Sequence, residues 1–101
     1  LQGLYLENHQ LSGRIPSEIS NLTGLNRGLW LNENQLSGSI PTEIGNSTNL
    51  QQFGLSYNQL SGSIPVEISH MTNLQDLWLN HNQLSGSVPF SFCEMASDID
   101  I

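Results

Sequence analysis

Leu74-Gln75-Asp76-Leu77-Trp78-Leu79-Asn80-His81-Asn82-Gln83-Leu84-Ser85-Gly86-Ser87-Val88-Pro89 is the segment on which the architecture turns. Its apolar residues follow the spacing L-x-x-L-x-L-x-x-N-x-L, with Asn82 in the ninth place. The spacing returns at Leu50, Phe53, Leu55, Asn58 and Leu60 with one aromatic exchange. It returns again at Leu1, Leu4, Leu6 and Leu11, where His9 stands in place of the Asn. The tetrad Gln-Leu-Ser-Gly occurs four times, at Gln10–Gly13, Gln35–Gly38, Gln59–Gly62 and Gln83–Gly86. One variable residue follows each, then Ile15-Pro16, Ile40-Pro41, Ile64-Pro65 and Val88-Pro89, so the prolines lie 25, 24 and 24 residues apart. A fixed period of roughly 20–50 residues marks a repeat architecture.

Within each period the x-L-x-L segment alternates, so Leu4/Leu6, Leu29/Leu31, Phe53/Leu55 and Leu77/Leu79 point to one side and their neighbours to the other. No single coil buries such a face, but stacked coils share a continuous core. The ninth-position amides of Asn34, Asn58 and Asn82 are placed to satisfy backbone groups where the chain leaves the strand, as a buried ladder that His9 breaks in the first coil. Ser-Gly turns the chain, and each proline then fixes φ on the way to a short helical or 3₁₀ turn. Ile19, Ile44, Ile68 and Phe92 anchor that turn, and Leu22, Ser47, Met71 and Met95 take the next inward place, with Ser47 the weak member. The second period is one residue longer, at Asn26-Arg27-Gly28. A β-bulge centred on Gly28 and a plain loop insertion ahead of the strand both accommodate it.

These motifs resemble the leucine-rich repeat family, in its plant-type class with the L-S-G-x-I-P extension. Receptor-kinase ectodomains and polygalacturonase-inhibiting proteins carry that class, and similar repeats occur in secreted proteins of diatoms and other algae. The resemblance implies an α/β solenoid, a right-handed superhelix with short parallel strands on the concave face and 3₁₀ or irregular turns on the convex face. Four repeats span about 1–24, 25–49, 50–73 and 74–97, and Asp98-Ile99-Asp100-Ile101 reads as the start of a fifth coil with Ile101 at the second leucine position. The expectation is a segment of a longer protein. In secreted relatives a cysteine near this point often opens a C-terminal cap, so the resemblance makes Cys93 a disulfide candidate whose partner lies outside the chain; a free, buried thiol is the other reading.

Composition bounds the partners. With 101 residues, 2 Lys+Arg, 9 Asp+Glu and a formal net charge of -7, the chain has no basic stripe for a phosphate backbone. The same balance argues against an anionic membrane surface, and no long apolar run spans a bilayer. Leucine supplies 16 residues against 14 Ser, 11 Asn, 8 Gln and 4 Thr, and the leucine spacing favours an ordered core over a disordered polar chain. No clustered titratable groups, phosphate loop or metal-ligand spacing points to an enzyme, a cofactor or a metal. The sequons Asn21-Leu22-Thr23 and Asn46-Ser47-Thr48 fall at one phase of successive repeats, making Asn21 and Asn46 glycosylation candidates on an extracellular or secretory route. Placement as a subunit of an organellar complex is the alternative.

The outward residues of the strand face form columns. Tyr5, Trp30, Gly54 and Trp78 make one; Glu7, Asn32, Ser56 and Asn80 the next; Asn8, Glu33, Tyr57 and His81 a third. Aromatics flanked by amides have the composition of a recognition surface. The candidate contact residues are therefore Tyr5, Glu7, Trp30, Asn32, Glu33, Ser56, Tyr57, Trp78, Asn80 and His81. Simple packing of large side chains along a parallel sheet is the competing reading of the tryptophans. The uniform column Gln10, Gln35, Gln59 and Gln83 reads as a side-chain hydrogen-bonding ladder, and Glu18, Glu43 and Glu67 as a solvated acidic column on the convex flank. The leading function is recognition of a protein, a peptide or a glycan on the concave sheet. A structural accessory subunit in a larger assembly is a second hypothesis. Ice binding, which some plant solenoids of the family perform, is a third; the Ser39, Ser63 and Ser87 rank that would serve it is short.

Overall fold

The computed structural model describes residues 3–21, 24–86 and 98–100, the last three as backbone alone. Strands recur twice per coil: β1 (Gly3–Tyr5), β2 (Ser12–Arg14), β3 (Gly28–Trp30), β4 (Gln35–Gly38), β5 (Gln52–Gly54), β6 (Gln59–Ser63), β7 (Asp76–Trp78), β8 (Gln83–Ser85) and β9 (Asp98–Asp100). The odd strands form one parallel sheet in the order β1-β3-β5-β7-β9, and the even strands form a second in the order β2-β4-β6-β8. Three 3₁₀ helices, Ser17–Asn21, Thr42–Asn46 and Val66–His70, line the opposite flank. No α-helix occurs among the described residues, whose convex turns are 3₁₀. No helix there is long and apolar enough to cross a membrane.

In the first sheet repeat-equivalent residues face each other, as in Leu4↔Leu29, Leu29↔Phe53 and Phe53↔Leu77. The second sheet, which the sequence reading did not include, runs through the Gln-Leu-Ser-Gly tetrads. Leu36 and Leu60 are buried while Gln35 and Gln59 are exposed, which is the alternation of a half-buried strand. Pairing there slips by two residues per coil, with Ser37↔Gln59 and Ser61↔Gln83. An even slip tilts the strands and still keeps every side chain on its own face. The bend comes at Gly13, Gly38, Gly62 and Gly86, whose φ values of 86°, 76°, 79° and 81° lie in the left-handed region.

The extra residue of the second period sits ahead of the strand. Gly28 pairs directly with Gly3 and with Gln52, so β3 carries no bulge. The Arg27 carbonyl accepts the N–H groups of Gln51 and Gln52, as the Gln51 carbonyl accepts those of Gln75 and Asp76. Arg27 and Gln51 are thus equivalent, and the insertion is absorbed at Asn26. The fifth strand is a further correction: Ile99, not Ile101, lies opposite Leu77. The fourth coil is therefore 22 residues at this register, two fewer than the period predicts.

The core runs along the solenoid axis. Leu29, Leu50, Phe53, Leu55, Leu60, Ile68, Met71, Leu74 and Leu77 are each 0–1 % exposed, whereas Leu4, Leu6, Leu11, Ile19 and Leu84 in the outer coils are only partly buried. This gradient follows from stacking, since an inner coil is covered from both sides and an outer one from one. Ser47 is half-buried where its equivalent Met71 is completely buried, so the second convex turn seals less core than the third. Leu22, Phe92 and Met95 lie outside the described residues.

One asparagine per coil ties the coils together. Asn34 Nδ2 donates to the carbonyls of Leu6, Leu31 and Asn32, while its Oδ1 accepts the His9 and Leu11 N–H groups. Asn58 repeats this one coil on, donating to Leu31, Leu55 and Ser56 and accepting from Leu36 N–H. Asn82 donates to Leu55, Leu79 and Asn80 and accepts from Leu60 N–H. Each amide satisfies carbonyls of its own turn and of the preceding coil, which no strand ladder would reach. His9 is exposed, and beside it Gln10 takes φ 59° and β2 starts only at Ser12, whereas β4, β6 and β8 start at their Gln.

Candidate functional site

The odd-numbered sheet presents its outward residues on the concave face, and the turn that leaves each strand extends that face. Asn8, Glu33, Tyr57 and His81 occupy one position of that turn with φ values of 56°, 59°, 58° and 58°. This left-handed backbone swings four exposed side chains outward in a row. Among residues with a side chain, Asn bears such a conformation most readily, so Glu33→Asn is expected to stabilise the fold by about 0.5–1 kcal/mol in urea unfolding. No gain would mean that the position carries no backbone strain.

The aromatic side chains are organised in two groups. Trp30 leans over Gly54 in the next strand, and a Cβ placed at 54 would collide with its ring. That passage lets Trp30 reach Trp78 two coils away, edge to face, with centroids 5.0 Å apart and planes at 66°. Tyr57 and His81 stack at 4.2 Å and 12° in the neighbouring column. Tyr5 and Tyr57 are 55 % and 52 % exposed and Trp78 is 36 % exposed, whereas Trp30 is half-buried. The tryptophans thus pack against each other along the sheet, and part of Trp78 stays exposed.

Two of the expected contact residues are corrected. Asn32 and Ser56 are 7 % and 4 % exposed, and Asn32 Oδ1 accepts from the Ser56 N–H at 2.8 Å and hydroxyl at 2.9 Å. They form an internal rung beneath the aromatics and do not face a ligand. Glu7 and Asn80 are half-buried, and Glu33 and His81 are exposed. Asn80 Oδ1 is buried with no hydrogen-bond partner. A further outward column was missed: Gly28, Gln52 and Asp76 stand in register, and Gln52 Nε2 donates to Asp76 Oδ2 at 3.2 Å. Simple alternation back from Leu29, Phe53 and Leu77 points to these positions. The glutamine column is corrected too. Gln10, Gln35, Gln59 and Gln83 are exposed, and the inter-coil bonds at this place are made by backbone, as from Gln35 N–H to the Leu11 carbonyl.

On the convex flank Glu18, Glu43 and Glu67 lie in the first turns of the 3₁₀ helices, with Glu67 half-buried. Asn21 and Asn46 are the last residues of their helices and are exposed. Thr23 of the first sequon and Cys93 lie outside the described residues. Among the described residues no three His, Cys, Asp or Glu side chains are grouped to hold a metal ion.

Comparison with known proteins agrees with this architecture. The family model described as "Leucine Rich Repeat" matches residues 1–22 and 27–47, and the one described as "Leucine Rich repeats (2 copies)" matches residues 48–91. Comparison with curated proteins yields no match. Among solved structures, the BIR2 ectodomain from Arabidopsis thaliana is 38% identical, with a TM-score of 0.86 over 91% of this chain and 48% of its own. The plant peptide hormone receptor RGFR1 in complex with RGF2 is 40% identical, with a TM-score of 0.80 over 89% of this chain and 14% of its own. A plant ice-binding protein is 39% identical, with a TM-score of 0.89 over 98% of this chain and 33% of its own. The chain thus spans about half or less of the length of these three proteins. Four copies of one signature, two parallel sheets stacked coil on coil and the asparagine ladder lead to the same conclusion: the chain belongs to the leucine-rich repeat family, in its plant type.

Proposed function

We propose that the chain is a recognition module that takes a protein or peptide segment on its concave sheet. The observation that carries this reading is the open aromatic patch of Tyr5 and Trp78 on their strands and the stacked Tyr57–His81 pair on the exit turns, none of it required by the core. Large, pre-positioned aromatic side chains supply most of the binding energy at protein interfaces. Similarity to a receptor described as a complex of RGFR1 with RGF2 supports a peptide, and similarity to an ectodomain supports an extracellular setting. Exposed Asn21 and Asn46 are in keeping with glycosylation there.

With a partner recovered by cross-linking on the intact protein, Trp78→Ala and Tyr57→Ala are each expected to weaken binding at least about tenfold by calorimetry. The urea midpoint of Tyr57→Ala should stay near that of the parent, because its ring is exposed. Unchanged affinity in both variants would place the partner elsewhere, and a contact through Glu18 and Glu43 would favour the accessory-subunit reading.

The second sheet supports one alternative. Its outer face is a rank of Gln, Ser and Gly, with Ser12, Ser61 and Ser85 exposed on β2, β6 and β8 and Ser37 half-buried on β4, and a plant ice-binding protein is among the similar structures. Loss of ice-recrystallisation inhibition on Ser61→Tyr would establish that face as the active one, and an inactive parent protein would remove the alternative.

A further inference from the structure

Resting on the concave-face reading, we infer that its ligand is a cationic segment, docked through arginine side chains. Every formal charge among the described outward positions of the first sheet and its exit turns is negative: Glu7, Glu33 and Asp76. Neither arginine offsets them from within the face. Arg14 lies in the other sheet, where its side chain covers Gly38, and Arg27 stands at the rim before β3.

The hydrogen-bonding chemistry points the same way. Carboxylates at Glu7, Glu33 and Asp76 are acceptors only. A guanidinium brings several donors and no acceptor, and its plane stacks on aromatic rings. Tyr5, Tyr57 and Trp78 offer open ring surface beside these carboxylates. A lysine-bearing segment satisfies the charge but not the planar stacking, so arginine is the better fit.

The test uses short capped peptides of one length that differ only in carrying several arginines, several lysines, several glutamates or none, titrated calorimetrically into the intact chain. Arginine peptides are expected to bind about tenfold or more tighter than the uncharged one, lysine peptides in between, and glutamate peptides not at all. Raising the salt should remove most of that preference. Asp76→Asn combined with Glu33→Gln should erase the charge preference while leaving the weak binding of the uncharged peptide in place, and Trp78→Ala should weaken both. Equal affinity for arginine and uncharged peptides, or competition by calcium ions alone, overturns the inference. If the uncharged peptide still depends on Trp78, the concave-face reading survives that failure. Charge-dependent binding indifferent to Trp78 and Tyr57 overturns the site itself.

Discussion

Asn58→Ala is expected to destabilise the solenoid by about 3–4 kcal/mol, a large part of the stability of a domain this size. Asn58 is 9 % exposed and ties together two coils through four hydrogen bonds, three donated to the carbonyls of Leu31, Leu55 and Ser56 and one accepted from Leu36 N–H. Truncation strips the Leu36 N–H of this acceptor, at about 1–3 kcal/mol where water does not reach it, and takes one donor from each of the three carbonyls, which keep Asn34 Nδ2, Asn82 Nδ2 and the Glu33 N–H as partners. Repacking offers no remedy, since the groups are fixed by the strands on either side. Asn82→Ala should cost less, because Asn82 is only half-buried in an outer coil. His9 lies at the matching position of the first coil with its side chain exposed, so His9→Ala should cost almost nothing. Urea unfolding checks this ordering. Because stability in such arrays is a sum over neighbouring coils, the Asn58→Ala transition should also broaden as the two halves uncouple. A loss below about 1 kcal/mol would show that water replaces the amide and that the ladder is dispensable.

The same residues explain what the sequence discloses. Leucine spacing and the ninth-position Asn are dictated by burial, and burial repeats with the coil, so the first sheet, the 3₁₀ turns and the core read directly from the period. The second sheet was hidden because Gln-Leu-Ser-Gly carries one apolar residue only, and a single Leu36 or Leu60 does not display an alternation. Its two-residue slip is a property of strand tilt, which no local pattern encodes. Ile99 was misplaced by two residues since the fourth coil departs from the period, and periodicity cannot announce its own failure. In the concave face, alternation gave the columns but not depth. Asn32 and Ser56 share their phase with Asn80, yet they pair with each other beneath the rings while Asn80 Oδ1 finds no partner. The lie of Trp30 across the face depends on Gly54, whose missing side chain leaves room for the ring.

Gly54→Ala tests that dependence directly, with an expected loss of about 2–3 kcal/mol for a single methyl group. Its Cβ would meet the Trp30 ring and would stand 2.7 Å from Asn32 Nδ2 and 2.8 Å from Asn32 Oδ1. Asn32 cannot yield freely, because its Oδ1 holds the Ser56 N–H and hydroxyl. Trp30 is the group that can turn away, and doing so breaks its 5.0 Å edge contact with Trp78. Three readouts should therefore move together: a lower urea midpoint, a red-shifted tryptophan emission, and weaker capture of any ligand that uses Trp78. The decisive control is Trp30→Ala in the same background. Removing the ring makes room for the new methyl group, so the double variant should lose clearly less than the sum of the two single changes. Additive losses would mean that the methyl group acts on Asn32 and the strand alone, and that Gly54 plays no part in setting the aromatic face.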